Sequence, residues 1–280
     1  MPPSPFRVGM AQTLVEGGNP AANLDRGVAS IRRAADLGCR VVVLPECLDI
    51  GWTHPSARDF AQPIPGPHFA RLARAAKDAG AFVAAGLVER AGPKIFNAAV
   101  LIGPSGDLLL HHRKINELDI ALDLYSVGDR VGVAHTDLGT FGLNICADNF
   151  SDSLAISHVL CRMGAQVILS PSAWAVDADH DNEREPYGKL WLDSYTELTR
   201  LYDVTVIGVS NVGRITGGPW AGRKCIGCSL AMGPGGRVLA RGPYGETAEA
   251  VIPVEVEPQQ LVGRGTQIAE VLKARGYVGP

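Results

Sequence analysis

Short unbroken apolar runs alternate along the chain with stretches whose apolar residues recur every three or four positions. Phe6 to Gln12 reads as a first strand. Pro20 then opens a helix with Leu24, Val28, Ile31 and Ala35 on one face, and Gly38 marks its stop. Arg40 to Pro45 follows as a strand and completes a βαβ unit. Pro65-Gly66-Pro67 punctuates the next loop. Phe69, Leu72, Ala73 and Ala76 form the stripe of a second helix that Gly80 ends. Three more strands are predicted over Ala81 to Val88, Phe96 to Ile102 and Leu108 to His112. The last two are joined by the hairpin turn Pro104-Ser105-Gly106-Asp107.

The second half repeats this outline. Val131 to His135 and Thr140 to Ile145 read as strands, Asp152 to Met163 as a helix, and Gln166 to Leu169 as a strand closed by Pro171. Leu190, Trp191, Ser194, Leu198 and Leu201 mark another helix, followed by a strand from Val204 to Val209. Cys228 to Met232 and Val238 to Arg241 form a hairpin around Pro234-Gly235-Gly236, and Ala250 to Val256 is the last strand. The pattern predicts one α/β domain over residues 1–257, with helices covering the sheets. Residues 258–280 form a tail in which Ile268, Val271 and Leu272 suggest a short helix with an apolar edge. No partner for that edge is visible within the domain. The tail is therefore expected at a subunit interface, in a homodimer or higher homo-oligomer, with a loosely docked chain end as the alternative.

Composition narrows the class. The chain has 280 residues, 46% apolar and 20% charged, with a net charge of −3, enough for a sizeable core. Lys and Arg form no run, so nucleic acid and anionic membranes are not expected partners. No apolar stretch approaches the ~20 residues of a membrane helix. Met1-Pro2-Pro3-Ser4-Pro5 carries no secretory pattern, which makes the cytoplasm the default setting. Six cysteines in a chain of this length do not make a disulfide scaffold. Cys39, Cys47 and Cys161 lie beside apolar runs and read as buried residues. The lone Cys225-x-x-Cys228 lacks a second ligand pair for zinc. His54, Asp177 and His180 have no metal-ligand spacing, so no metal site is expected.

Three chemically capable residues stand where apolar runs stop. Glu46 ends Val41-Val42-Val43-Leu44-Pro45, Lys114 follows Leu108 to Arg113, and Cys146 ends Phe141-Gly142-Leu143-Asn144-Ile145. In α/β sheets, reactive groups gather where strands hand over to loops. A thiol there can attack, a carboxylate can carry protons, and an ammonium can hold a developing oxyanion. Lys114 is expected to lower the Cys146 pKa, and the backbone N–H of Ala147 to join it as an oxyanion donor.

The segments around these residues resemble the nitrilase, or carbon–nitrogen hydrolase, superfamily. The matching pieces are Leu44-Pro45-Glu46, Gly51-Trp52, His112-Arg113-Lys114, Gly128-Asp129 and Asn144-Ile145-Cys146-Ala147-Asp148. They continue through Met163 to Leu169, Pro171-Ser172-Ala173, Asn211-Val212-Gly213, Gly227-Cys228-Ser229 and the Gly233-to-Leu239 hairpin. The resemblance runs from about Phe6 to Glu257. It implies a four-layer α-β-β-α sandwich with pseudo-symmetric halves, no cofactor, and a Glu-Lys-Cys triad mapped onto Glu46, Lys114 and Cys146.

The expected activity is thiol-dependent hydrolysis of a non-peptide carbon–nitrogen bond in a small amide or N-carbamoyl compound, through a Cys146 thioester. The rivals are a true nitrilase acting on C≡N and a non-catalytic binding relative. Trp52 and Trp174 are candidate aromatic walls, with core roles as the alternative for each. Asp148 either holds the loop through backbone N–H groups or meets substrate. His111 and His112, as strand neighbours, face opposite ways and are read as structural. One departure stands out. Many relatives carry a second glutamate, which orients substrate or assists proton transfer, where this chain has Ala121. Glu117, one turn earlier if the segment is helical, is the candidate replacement, against the alternative of a solvent-facing glutamate.

Overall fold

The computed structural model describes residues 4–279. Its first half runs β1 (Phe6–Gln12), α1 (Pro20–Asp36), β2 (Val41–Val43), α2 (Ala57–Phe60), α3 (Pro67–Ala79), β3 (Phe82–Ala91), β4 (Lys94–Ile102) and β5 (Leu108–Arg113). The second half runs β6 (Val133–Thr136), β7 (Gly139–Leu143), α4 (Ala155–Arg162), β8 (Val167–Ser172), β9 (Ala175–Val176), α5 (Lys189–Tyr202) and β10 (Thr205–Ser210). It continues with β11 (Val212–Arg214), β12 (Lys224–Ile226), β13 (Leu230–Gly233), β14 (Arg237–Arg241), β15 (Ala250–Val256) and α6 (Gln267–Ala274).

Two six-stranded sheets, ordered β15-β1-β2-β3-β4-β5 and β14-β13-β10-β8-β7-β6, pack face to face. β11, β12 and β9 make a small third sheet. The period-2 geometry of a strand sorts each apolar run between two cores. Phe6, Val8, Met10, Val41, Val43, Phe82, Ala84, Ala99 and Leu101 point into the space between the sheets. Ala11, Val42, Val83, Ala85, Val100 and Ile102 point the other way, under α1 and α3. Both faces are buried, which is why these strands read as continuous apolar runs. α4 and α5 cover the second sheet with Leu160, Cys161, Trp191, Tyr195, Leu198 and Leu201. The result is the expected four-layer α-β-β-α sandwich. Asn19 caps α1, its side chain accepting from Ala22 N–H ahead of Pro20 at the first turn.

Two expectations are corrected. Pro171 does not close its strand: β8 runs to Ser172, and Pro171 pairs with Val209 of β10. On its other side β8 pairs with β7 only as far as Leu169, so the missing proline N–H breaks no ladder there. The tail also has a partner within the domain. Ile268 and Leu272 of α6 are buried in the main core. Arg275 donates to the Arg200 and Leu201 carbonyls at 3.2 and 3.1 Å and pairs with Asp203 at 2.8 Å. The Tyr277 ring lies 4.8 Å from that of His158.

Leu272 has no exposed surface, so Leu272→Ala removes buried methyl groups and leaves a cavity. The substitution is expected to cost about 2–4 kcal/mol of folding stability, read by urea denaturation. The loss should be independent of protein concentration. A loss seen only at concentrations where the chain self-associates contradicts intramolecular docking.

Candidate active site

Glu46 leaves the end of β2 in the first sheet, and its backbone N–H donates to Ser172 O at the end of β8 in the second, at 3.1 Å. The two sheets are thus stitched together where their strands stop. Gly86 of β3 passes so close that a Cβ there would lie 2.5 Å from Glu46 Cα, which fixes glycine at that position. The Glu46 side chain is buried, and Oε1 accepts from Asn97 Nδ2 at 2.6 Å and from Lys114 Nζ at 2.8 Å. Oε2 is buried and, among the described residues, has no hydrogen-bond partner.

Lys114 extends the β4–β5 ladder by one residue, its N–H donating to Asn97 O at 2.8 Å. Its carbonyl accepts from Gly128 N–H at 2.8 Å. A Cβ on Gly128 would fall 2.0 Å from Arg113 O, which explains the glycine of the Gly128-Asp129 pair. The Lys114 side chain is 1% exposed, with Nζ 2.8 Å from Glu46 and 3.8 Å from Glu117. Burial pulls the ammonium toward neutrality, but the Glu46 and Glu117 charges outweigh it and hold the pKa well above the ordinary lysine value. The Trp52 ring lies 6.0 Å from Nζ and packs on Trp220 at 4.8 Å.

Cys146 opens a single turn of 3-10 helix, Cys146–Asn149, with φ at +44°. A residue with a Cβ held in that left-handed region is strained, by roughly 1–3 kcal/mol. A buried network behind it holds the turn. Asn144 donates to Asn149 and Ser157 at 2.8 and 2.9 Å, and Asn149 donates back to Asn144 and to Ser170 at 3.0 and 2.9 Å. Lys114 does lower the Cys146 pKa, as expected, but the net shift is upward. Burial pushes the thiol up and the Glu46 charge pushes it further, while Lys114 and the Ala173 N–H lower it too little to compensate. The net shift favours the neutral thiol.

Glu117 is turned inward, not to solvent. It lies outside any helix, just before the 3-10 turn Asp119–Ala121, and reaches Lys114 from three residues along the chain. Neither carboxyl oxygen has a hydrogen-bond partner among the described residues. Burial, with the neighbouring Glu46 and Asp148 charges, overrides Lys114 and raises its pKa from 4.5 to about 8. Ala121 is fully buried in an apolar cluster with Trp52, Tyr125 and Ala173. Trp174 stacks on Trp191 at 4.7 Å within the core, and its indole N–H, like that of Trp52, has no partner among the described residues. Ala147 is buried beside Cys146, its carbonyl held by Asn116 Nδ2 at 2.7 Å.

The oxygens of Asp148 are filled by the protein itself. They accept from Ile115, Asn116 and Ile145 N–H at 3.1, 2.8 and 3.0 Å, and Oδ2 lies 2.8 Å from His112 Nε2. Burial raises its pKa, but the His112 contact and the Asn116 N–H outweigh that and hold the carboxyl below its ordinary value. His111 and His112 do face opposite ways: His111 meets Glu89 at 2.9 Å, while His112 meets Asp148. Sequence reasoning missed Asn97, the partner shared by Glu46 and Cys47, and Asn116. The readable signal for Asn97 was a lone amide inside the otherwise apolar Phe96-to-Ile102 strand.

This sandwich, with an acid, a buried ammonium and a thiol meeting where its sheets are stitched, defines a thiol-bearing α-β-β-α protein. The carbon-nitrogen hydrolase family model matches residues 7–263, and the chain belongs to that family. It is 31% identical over 180 residues to omega-amidase NIT2 of Xenopus tropicalis, a match covering 60% of this chain and 64% of that protein. With omega-amidase NIT2-B of Xenopus laevis it shares 26% over 273 residues, covering 94% and 92%. In the first of these matches, and in one to hydrolase C26A3.11 of Schizosaccharomyces pombe (32% identical, 60% of this chain), the chain spans 64% and 55% of the relative's length. Among solved structures, the carbon-nitrogen hydrolase of Helicobacter pylori G27 superposes with a TM-score of 0.81 at 19% identity, covering 96% and 92% of the two chains. A cysteine-to-alanine form of the Nesterenkonia AN1 amidase, from the nitrilase superfamily, gives 0.77 at 20%, covering 97% and 94%. At these identities the superpositions establish the fold.

The raised Glu117 pKa has a consequence for stability. The folded chain holds a proton on Glu117 up to about pH 8, whereas the unfolded chain releases it near 4.5. Stability from this group is therefore lost as pH rises between those values. Glu117→Gln removes the loss, so the variant should gain stability over the parent at pH 8 relative to pH 5. Denaturant midpoints at both pH values test this; an equal difference at the two contradicts it.

Proposed function

We propose that this chain is a thiol amidase that hydrolyses a non-peptide carbon–nitrogen bond of a small amide or N-carbamoyl compound. The observation that carries the reading is Glu46 Oε2, which has no hydrogen-bond partner among the described residues. Oε1 is held by Lys114 and Asn97, so the second oxygen is the base left open beside a protonated Cys146. In the first half-reaction Glu46 takes the thiol proton as sulfur bonds to the carbonyl carbon. The developing oxyanion is held by Lys114 Nζ and the Ala147 N–H, which has no acceptor within its own helical turn. Glu46 returns the proton to the nitrogen, the C–N bond breaks, and ammonia or an amine leaves a thioester. Water then attacks, gives its proton to Glu46, and the acid leaves as the thiol is restored.

Glu117 takes the place of the second glutamate, contributing a neutral acid beside the reacting centre. A carboxamide nitrogen carries hydrogens that suit the unpartnered oxygens of Glu46 and Glu117, and a nitrile carries none. That places the amide ahead of C≡N. Trp52 supplies a wall, with its buried indole N–H as a donor. Trp174 backs the site from the core. The omega-amidase names of the relatives support the same class.

Among the described residues no helix is long and apolar enough to cross a membrane. A cytoplasmic setting and a homo-oligomer belong to the proposal. Exposed Val159 on α4 and Met163 just after it, with Leu190 at the start of α5, offer apolar surface to a second copy.

Ammonia release over a panel of small amides, ureido acids and nitriles tests the reading. Cys146→Ala is expected to abolish turnover of whichever amide is cleaved while the protein stays folded. Glu46→Gln and Lys114→Ala should each cost at least ~100-fold. Glu117→Gln should slow turnover but leave alkylation of Cys146 largely intact. Turnover that survives Cys146→Ala, or a nitrile cleaved to acid while every amide is refused, overturns the assignment.

A further inference from the structure

Lys114 and Cys146 come from different sheets, so their mutual placement needs a tie across the site. One side chain supplies it. Asp148 Oδ1 accepts from Ile115 and Asn116 N–H at 3.1 and 2.8 Å, directly after the lysine. Oδ2 accepts from Ile145 N–H at 3.0 Å, directly before the cysteine, and faces His112 Nε2 at 2.8 Å, two residues before the lysine. Asn116 closes the circuit by donating to Ala147 O at 2.7 Å. The lysine is therefore bracketed on both sides by a carboxylate that belongs to the nucleophile's own turn.

We infer that the buried His112–Asp148 pair is the positioning device that sets the Lys114 ammonium against the Cys146 thiol. The inference rests on the thiol-hydrolase reading above. The His112 ring is fixed at both ends. Nδ1 lies 3.2 Å from Arg130 O and Nε2 lies 2.8 Å from the Asp148 carboxylate, so each ring nitrogen faces an acceptor. The pair is 3% and 0% exposed, so its contact is shielded from solvent. Without it, Asp148 retains only backbone donors, and the lysine segment loses its side-chain tie to the cysteine turn on its N-terminal side, leaving the β4–β5 ladder alone there. Displacements of about 1 Å in such an arrangement cost on the order of 10²-fold in rate. His112 and Asp148 touch no reacting atom in this scheme; they act through Lys114 and the Cys146 turn.

Two readouts separate positioning from plain folding stability. The first is the rate at which iodoacetamide alkylates Cys146, followed on its peptide by mass spectrometry. The second is the kcat against KM split on an amide that the parent cleaves, well below the unfolding temperature. For His112→Phe, both alkylation and kcat should fall at least ~10-fold, with KM within ~3-fold. His112→Gln, whose amide can still donate to Asp148, should recover part of both rates. His111→Ala, on the opposite face of the strand, should leave both unchanged. Should His112→Phe not fold, Asp148→Asn carries the test, with slower alkylation expected. Rates within about two-fold of the parent in folded His112→Phe or Asp148→Asn, even with a lowered unfolding temperature, overturn the inference. So does a rise in KM alone. If no amide is turned over by the parent, the alkylation arm still decides the positioning role, and only the amidase reading fails.

Discussion

A lysine ammonium held away from water between two carboxyl groups is the interaction on which the rest of this structure depends. An unpaired charge at 1% exposure is not tolerated in a protein interior. Glu46 at 2.8 Å makes the burial possible, and Asn97 fixes the shared oxygen. Meeting that demand requires the first sheet to present β2, β4 and β5 at one end. It also requires Glu46 to be anchored to β8 of the second sheet through Ser172. The sandwich is stitched together where the charges meet, so fold and site share one constraint.

The same burial sets the character of the nucleophile. A free lysine beside a cysteine would draw its pKa down. Here the lysine charge is already engaged by Glu46, and the lack of water works against a second negative charge nearby. Burial therefore favours the neutral thiol, and the proposed proton acceptor is the Glu46 oxygen that has no hydrogen-bond partner among the described residues. Glu117 follows the same logic: close to Lys114 but not hydrogen-bonded to it, it keeps its proton to about pH 8. The site thus stores one ion pair and two neutral acids, and charge separation on sulfur waits for an electrophile.

Much of this was legible in the chain. Strands such as Val41-Val42-Val43 read correctly because both faces are buried, and the ends of those runs gave Glu46, Lys114 and Cys146. What was not legible depended on distances across the fold. The sign of the Cys146 shift turns on how near Glu46 lies and how dry the site is, and neither has a local signature. Pro171 looked like a stop because the sequence does not show that β7 ends two residues earlier. α6 looked partnerless because its anchors, Arg200, Leu201 and Asp203, lie on and just after α5, with no complementary pattern to announce them. Glu117 was sought by helical phase, yet it reaches the site from an irregular segment. The structural reading of His112 follows from strand alternation alone, and its partner Asp148, 36 residues away, has no local signature.

The central claim is that Cys146 is a neutral thiol at rest and ionises only as it reacts. The most direct measurement is the ultraviolet thiolate absorbance of the parent minus that of Cys146→Ala, recorded across pH in the absence of substrate. The account predicts no thiolate signal from Cys146 at neutral pH in a preparation that still cleaves an amide. A Cys146 thiolate signal already present at neutral pH would contradict it.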